Sequence, residues 1–503
     1  MDPTVPPRPG ATSLDGQAAV DPAEAADAFV DLACLTYSHE DSPRRRRRAE
    51  KMLEATPALV DASLFAASVV GDVATARSML DADPSLATRR GGPRGWDALL
   101  YLCYGRVTPR PAWDPRAVAR LLLERGADPR TFVLLNDTYR FTALTGAMGE
   151  GEGGPRAQPP HAHAAALVQL LLDAGADPND GQGLYNTMFT PSNAWIELLL
   201  ARGLSAAHQV NWPPHGMAIL DYLLGVAVRR GFGERVALLL DHGASADGRD
   251  WYNRRTHHEN ALLAGRPDLA ALLVRRGAAP AELSPADEFR AASLRGDAAA
   301  ARALLAAHPE LRDDAAPLVA AAEHGNVAAV RLLLDLGVPV GARGERGVTA
   351  LHQAALAGDL AVVRELVDRG APLDARDAAY DAPPVGWAAY AVAHWPDRGD
   401  AREVLRYLLD RSDDPFELAA HGRPDRLAVV LAASPSLARA RDRRGRTPLH
   451  WLQDDAPDAV IDVLVAHGAE VAATDEDGAT PVAVAEKAYW DEAAAALRRR
   501  GGG

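Results

Sequence analysis

The chain has 503 residues, with 68 acidic against 54 basic side chains and a net charge of −14. That balance argues against general affinity for nucleic acid or an anionic membrane surface. Its two cysteines, Cys34 and Cys103, cannot form a disulfide framework and suggest a reducing compartment, and no run of about 18 apolar residues is present to cross a membrane. The expectation is a soluble, cytoplasmic protein, with 48% hydrophobic residues available for a sizeable core.

In chain order, residues 1–22 are Pro-rich and acidic and read as a disordered tail. Residues 23–60 are expected to form terminal capping helices. The first is "AADAFVDLACLTY" at 25–37; the second follows "PRRRRRAEKMLEATPAL" from 43 and carries Arg44 to Arg48. Five consecutive arginines fit a nucleic-acid patch, but in a chain this acidic a solvated helix, its aliphatic stems lying on the next helices, is favoured. Arginine density is discounted generally: only Lys51 and Lys487 are lysines, a bias attributed to a GC-rich coding genome.

A closing motif then recurs: "LLLERGADP" at 121, "LLLDAGADP" at 170, "LLLDHGASA" at 238, "LLLDLGVPV" at 332 and "ELVDRGAPL" at 365, among eight such copies. A second form puts Pro where the others have Gly, as in "MLDADPSL" at 79 and "VLAASPSL" at 430. Either residue stops a helix, Gly by entering the left-handed region and Pro by lacking a donor. Stop residues at 57, 84, 126, 175, 203, 243, 277, 309, 337, 370, 412, 435 and 468 mark thirteen units with a median spacing of 33.

Two units carry their helix start in full, "GVTALHQAALAGD" at 347–359 and "GRTPLHWLQDDAPD" at 445–458. Thr349 and Thr447 can cap their helices with the hydroxyl, and Pro448 sits where a missing N–H costs nothing. A second amphipathic helix follows, ended by Gly370 or Gly468. The period, the Thr-Pro-Leu-His start and the Leu-Leu-x-x-Gly-Ala-Asp close together resemble the ankyrin repeat, over about residues 25 to 500.

The resemblance implies an all-α solenoid of stacked helix pairs joined by hairpin-like fingers. It divides into ankyrin-like repeats with insertions over 61–280, further ankyrin repeats over 281–479, and C-terminal capping helices over 480–503. It also assigns His352 and His450 to a structural role around the Thr cap. Independently, so small a pair cannot bury its apolar side alone, so each copy must cover its neighbour.

Long intervals locate insertions at "GRVTPRPAWDP" (105), "GEGEGGPRAQPPHAH" (149), "HQVNWPPHG" (208) and "DAAYDAPPVGWAAYAVAHWPDRG" (377). His161, His163, His257 and His258 lack Cys, Asp or Glu partners at ligand spacing, so neither metal nor cofactor is expected. No phosphate loop, HExxH or GxSxG is present. The favoured function is a non-enzymatic scaffold that binds a protein or peptide through its fingers and first helices. Its candidate contacts are Tyr139, Arg140, Trp212, Trp251, Tyr252, Arg254 and Arg255, residue types that dominate interfaces. The alternatives are an enzyme site assembled from loops 149–163 and 377–400 with His394 and Trp395, and a nucleic-acid adaptor using Arg44 to Arg48.

Overall fold

A computed structural model describes residues 21–501 except His39, Asn211, Pro213, Pro214, Asp455 and Pro457. The tail expected over 1–22 lies almost wholly outside the described residues, since Pro22 already opens the first helix, Pro22–Ala33, capped by the Asp21 carboxylate.

One unit shows the local logic. Ala350–Ala357 buries Leu351, Ala354 and Ala355 and stops at Gly358, where φ is 73°. Asp359 then accepts the Val362 amide at 2.9 Å and starts Leu360–Asp368, which buries Leu360, Val362, Val363 and Leu366. Alanines on the first helix let the next pair approach closely, and branched side chains on the second fill the space between. First helices pack in succession from Leu64–Val70 through Ala98–Tyr104, Ala143–Met148, Gly181–Asn186, Ile219–Arg230 and His257–Leu263 to Pro285–Leu294. The succession continues through Ala316–Glu323 and Ala350–Ala357 to Pro384–His394. Buried apolar residues fall into two clusters, one ending at Ala278 apart from a Tyr489 contact and the other starting at Phe289, while His257–Leu263 packs on Pro285–Leu294 across the gap.

The protein is mostly helical rather than all-α. "TFVLLNDTYRFT" folds as a two-stranded hairpin, with Phe132–Leu135 paired antiparallel to Tyr139–Thr142. Its β-branched and aromatic residues suit strands, and Asn136 and Asp137 take φ of 51° and 53°, the turn that matches strand twist. Other fingers form only isolated bridges, such as Arg249 with Thr256 and Arg343 with Thr349.

The repeated Thr and His are hydrogen-bonded to each other in both units. His352 Nδ1 accepts the Thr349 amide at 3.1 Å and its Nε2 donates to the Ala382 carbonyl of the next finger at 3.1 Å. His450 does the same with Thr447 at 3.0 Å and Ala479 at 3.1 Å. Each ring therefore caps its own helix and ties it to the following unit, which fixes the neutral tautomer.

The helix Pro43–Ala55 departs most from expectation. Its arginines do not simply lie along the following helices; they reach several parts of the chain. Arg45 is buried and donates to the Cys34 carbonyl at 2.7 Å and to Asp31 Oδ2 at 2.7 Å. Arg46 donates to the Ala157 and Arg156 carbonyls at 2.6 Å each, and burial lowers its pKa to about 10. One helical turn apart, Arg44 and Arg48 face the far end of the chain. Arg44 pairs with Asp454 at 3.7 Å and lies 5.5 Å from the Trp490 ring. Arg48 pairs with Asp491 at 3.6 Å beside Tyr489, and Lys51 approaches Asp491 at 3.7 Å. Only Arg47 of the five is exposed. The second helix, Pro43–Ala55, and the last, Asp491–Arg499, thus touch. These pairs are long and partly exposed, each contributing at most about 1 kcal/mol.

Two outcomes are expected. Arg44→Glu/Arg48→Glu sets like charges against Asp454 and Asp491, so the radius of gyration from X-ray scattering should rise while helical circular dichroism is retained; an unchanged radius counts against the contact. Burial holds His352 and His450 below the ordinary histidine value of 6.5. The unfolded chain therefore takes up protons first, and stability that is complete above 6.5 is lost as pH falls below it. The thermal midpoint should fall between about pH 7.5 and about pH 5.5, and His352→Gln/His450→Gln should flatten that slope. An equal slope in the double variant would remove these rings as the cause.

Candidate functional site

The finger "GRDWYNRRTHH" is built around one carboxylate. Asp250, 2% exposed, accepts the amides of Tyr252 at 2.8 Å and Asn253 at 3.3 Å and pairs with Arg229 Nε at 2.7 Å. A side chain that bonds the backbone two and three residues ahead forces a tight turn. Tyr252 is thereby held out in solvent at 55% exposure, its hydroxyl 2.9 Å from that of Tyr222 and the Arg229 guanidinium 4.8 Å from its ring. Trp251 is half-buried, with Arg254 stacked 4.3 Å from the ring centroid.

The other candidates divide. Arg255 binds Asp287 through both terminal nitrogens at 2.9 and 3.0 Å, tying the finger to Pro285–Leu294. Trp212 is a correction: at 5% exposure its ring packs edge-on to Tyr185 at 5.9 Å and Tyr222 at 6.4 Å, so it supports Tyr222 rather than presenting itself. Tyr139 is 37% exposed on the hairpin, and Arg140 lies 4.1 Å from the Phe132 ring.

The turn device recurs, and sequence reading passed over it. Asp377 accepts the amides of Ala379 and Tyr380 at 2.8 Å each and the Trp387 indole N–H at 3.1 Å, leaving Tyr380 76% exposed. Asp442 and Asp475 fold their fingers likewise. Asp250, Asp377, Asp442 and Asp475 each stand seven residues beyond the stop residues 243, 370, 435 and 468, and that spacing could have revealed them.

The insertions at 149 and 377 meet. The short helix Gly154–Ala157 packs on Pro384–His394, and Arg156 donates to the Val392 carbonyl at 3.4 Å. Gly154 has φ of 72°, and a Cβ there would stand 2.4 Å from the His394 carbonyl oxygen, so close approach and backbone both require glycine. His394 Nδ1 lies 2.8 Å from the Tyr390 carbonyl, and its ring stacks on Tyr390 at 3.9 Å. His161 Nδ1 accepts the His163 amide at 3.0 Å, and His257 is fully buried. Where His352 would stand in its unit, Glu259 completes the capping box with Thr256 instead. Among the described residues no group of three or more His, Cys, Asp or Glu side chains is placed to hold a metal. No helix among them is long and apolar enough to cross a membrane.

Beside the meeting point lies a cavity of about 850 Å³. Its walls come from both insertions, from the ends of Ile219–Arg230, Ala316–Glu323 and Ala350–Ala357, and from the segment around Phe189. Arg230 opens onto this space but is crowded by protein, so burial and then Arg229 lower its pKa. Arg398 is lowered by burial and then by Arg230. Burial keeps His324 below its ordinary value, with Arg290 and Arg266 acting the same way against Glu323.

Residues 289–377 match the family model of ankyrin repeats, in three copies. No curated protein matches the chain. Among 367 matching chains of solved structures is one in the Bd0816 predatory endopeptidase from Bdellovibrio bacteriovorus in complex with immunity protein Bd3460. It is 25% identical, covers 36% of this chain and 97% of that chain, and has a TM-score of 0.27. The matched family region holds Ala316–Glu323 with Val327–Asp335, and Ala350–Ala357 with Leu360–Asp368, including the Thr349–His352 cap. Residues 289–377 are therefore ankyrin repeats.

Proposed function

We propose that the chain is a non-catalytic protein-interaction module, an ankyrin-type solenoid over about residues 25 to 500, that holds a protein or peptide partner on its fingers. The ankyrin repeats at 289–377 support the class of module. The observation that carries the reading to a surface is the pair of fingers in which a buried aspartate holds a tyrosine outward, Asp250 with Tyr252 and Asp377 with Tyr380. A pre-folded tip loses little conformational freedom on binding, and an exposed tyrosine supplies large contact area with only two rotatable side-chain bonds. Trp251 with Arg254 widens the first tip. The arginine run, largely engaged within the chain, is left with little to offer nucleic acid.

The test is capture of partners from native lysate with quantitative mass spectrometry, followed by affinity measurement. Tyr252→Ala and Trp251→Ala should each weaken binding by about 2 kcal/mol, roughly thirtyfold, with circular dichroism unchanged. Tyr380→Ala should weaken it if the partner spans both fingers. Full affinity in Tyr252→Ala/Tyr380→Ala would sink the finger surface.

A further inference from the structure

We propose that the cavity between the insertions binds a small phosphorylated ligand of nucleotide size. The observation is a convergence of cations from distant parts of the sequence. Arg156 comes from the first insertion, Arg230 from the end of Ile219–Arg230, and Arg398 from the second insertion. Among the described residues none of the three has a carboxylate within the 4.0 Å of an ion pair. Glu323 and Asp397 also line the cavity but stay beyond that reach, so the lining keeps an excess of one positive charge (three arginines against two carboxylates) in a chain of net charge −14.

Guanidinium groups on three separate elements match a polyanion with several spaced oxygens. A lone carboxylate saturates a single guanidinium fork. The rest of the wall mixes the aromatic rings of Phe189, Phe232 and Trp395 with the polar Thr190, His324 and Gln353. Arg398 lies 4.7 Å from the Trp395 ring centroid, which sets its plane, and the buried Trp395 indole N–H has no hydrogen-bond partner. At about 850 Å³ the space is within the range of small-molecule sites, roughly 300–1,000 Å³. From the second insertion it takes only Trp395 to Arg398, whereas the proposed protein-binding tips present Tyr252 and Tyr380, so the two readings stand or fall separately.

Isothermal titration of the full chain with ATP, pyrophosphate and hexaglutamate tests this. ATP is expected to bind in the micromolar range, pyrophosphate more weakly and hexaglutamate not measurably. Arg230→Gln and Arg398→Gln should each weaken ATP binding at least about tenfold, the effect of losing a charge-assisted hydrogen bond, with helical circular dichroism retained. If Arg398→Gln fails to fold, Arg230→Gln and Arg156→Gln carry the test. Pyrophosphate binding as tightly as ATP would remove the ring from the ligand, and hexaglutamate binding in preference would make the cavity a peptide site. No heat with any of them, or unchanged affinity in the variants, overturns the proposal.

Discussion

A helix pair of about twenty residues cannot bury its own apolar face, and the rest of the structure depends on that constraint. In the pair Ala350–Ala357 and Leu360–Asp368, Leu351, Val363 and Leu366 are fully buried only because neighbouring pairs cover them. Several stabilising devices therefore work between units as well as within them. His352 caps its own helix and holds the Ala382 carbonyl of the next finger; Arg255 closes on Asp287; Arg235, fully buried with no carboxylate partner, donates to the carbonyls of Thr187 and Thr190. Burial lowers the Arg235 pKa to about 10, and the carbonyl cradle is what allows the charge to stay inside.

Much of this was legible in the sequence because it is periodic. The closing motif located second helices, and the left-handed φ at Gly126, Gly175, Gly243, Gly277, Gly337, Gly370 and Gly468 follows from its glycines. Even the unit stopping at 412, whose motif is degraded, keeps a full first helix, Pro384–His394. What stayed hidden is not periodic. The hairpin at 132–142 replaces an ordinary finger because its β-branched and aromatic residues favour strands, which the all-α expectation overrode. Trp212 looked like an exposed anchor because a Trp followed by two prolines reads as a loop tip; only Tyr185 and Tyr222, folded over it, reveal a core ring.

The arginine run shows a further limit. Five identical residues carry no information about direction, yet a helix turns each by about 100°, so Arg45 enters the core while Arg44 and Arg48 face Asp454 and Asp491. Those acids lie more than 400 residues away in sequence. The meeting of insertions 149 and 377 was equally invisible to any local pattern, although each insertion was conspicuous alone. Composition marks a segment as unusual; only the curvature accumulated over several units decides what it meets.

The contact between Pro43–Ala55 and the last helix changes how the chain can come apart. In an open row of nearest-neighbour units the terminal pairs have one neighbour each and melt inward from both ends. Here Pro43–Ala55 and Asp491–Arg499 are neighbours of one another, so these two margins brace each other. Loss of structure must begin by parting a seam of weak, solvent-screened charges, and ionic strength, rather than the strength of any single repeat, decides whether the protein behaves as a loop or as a strip.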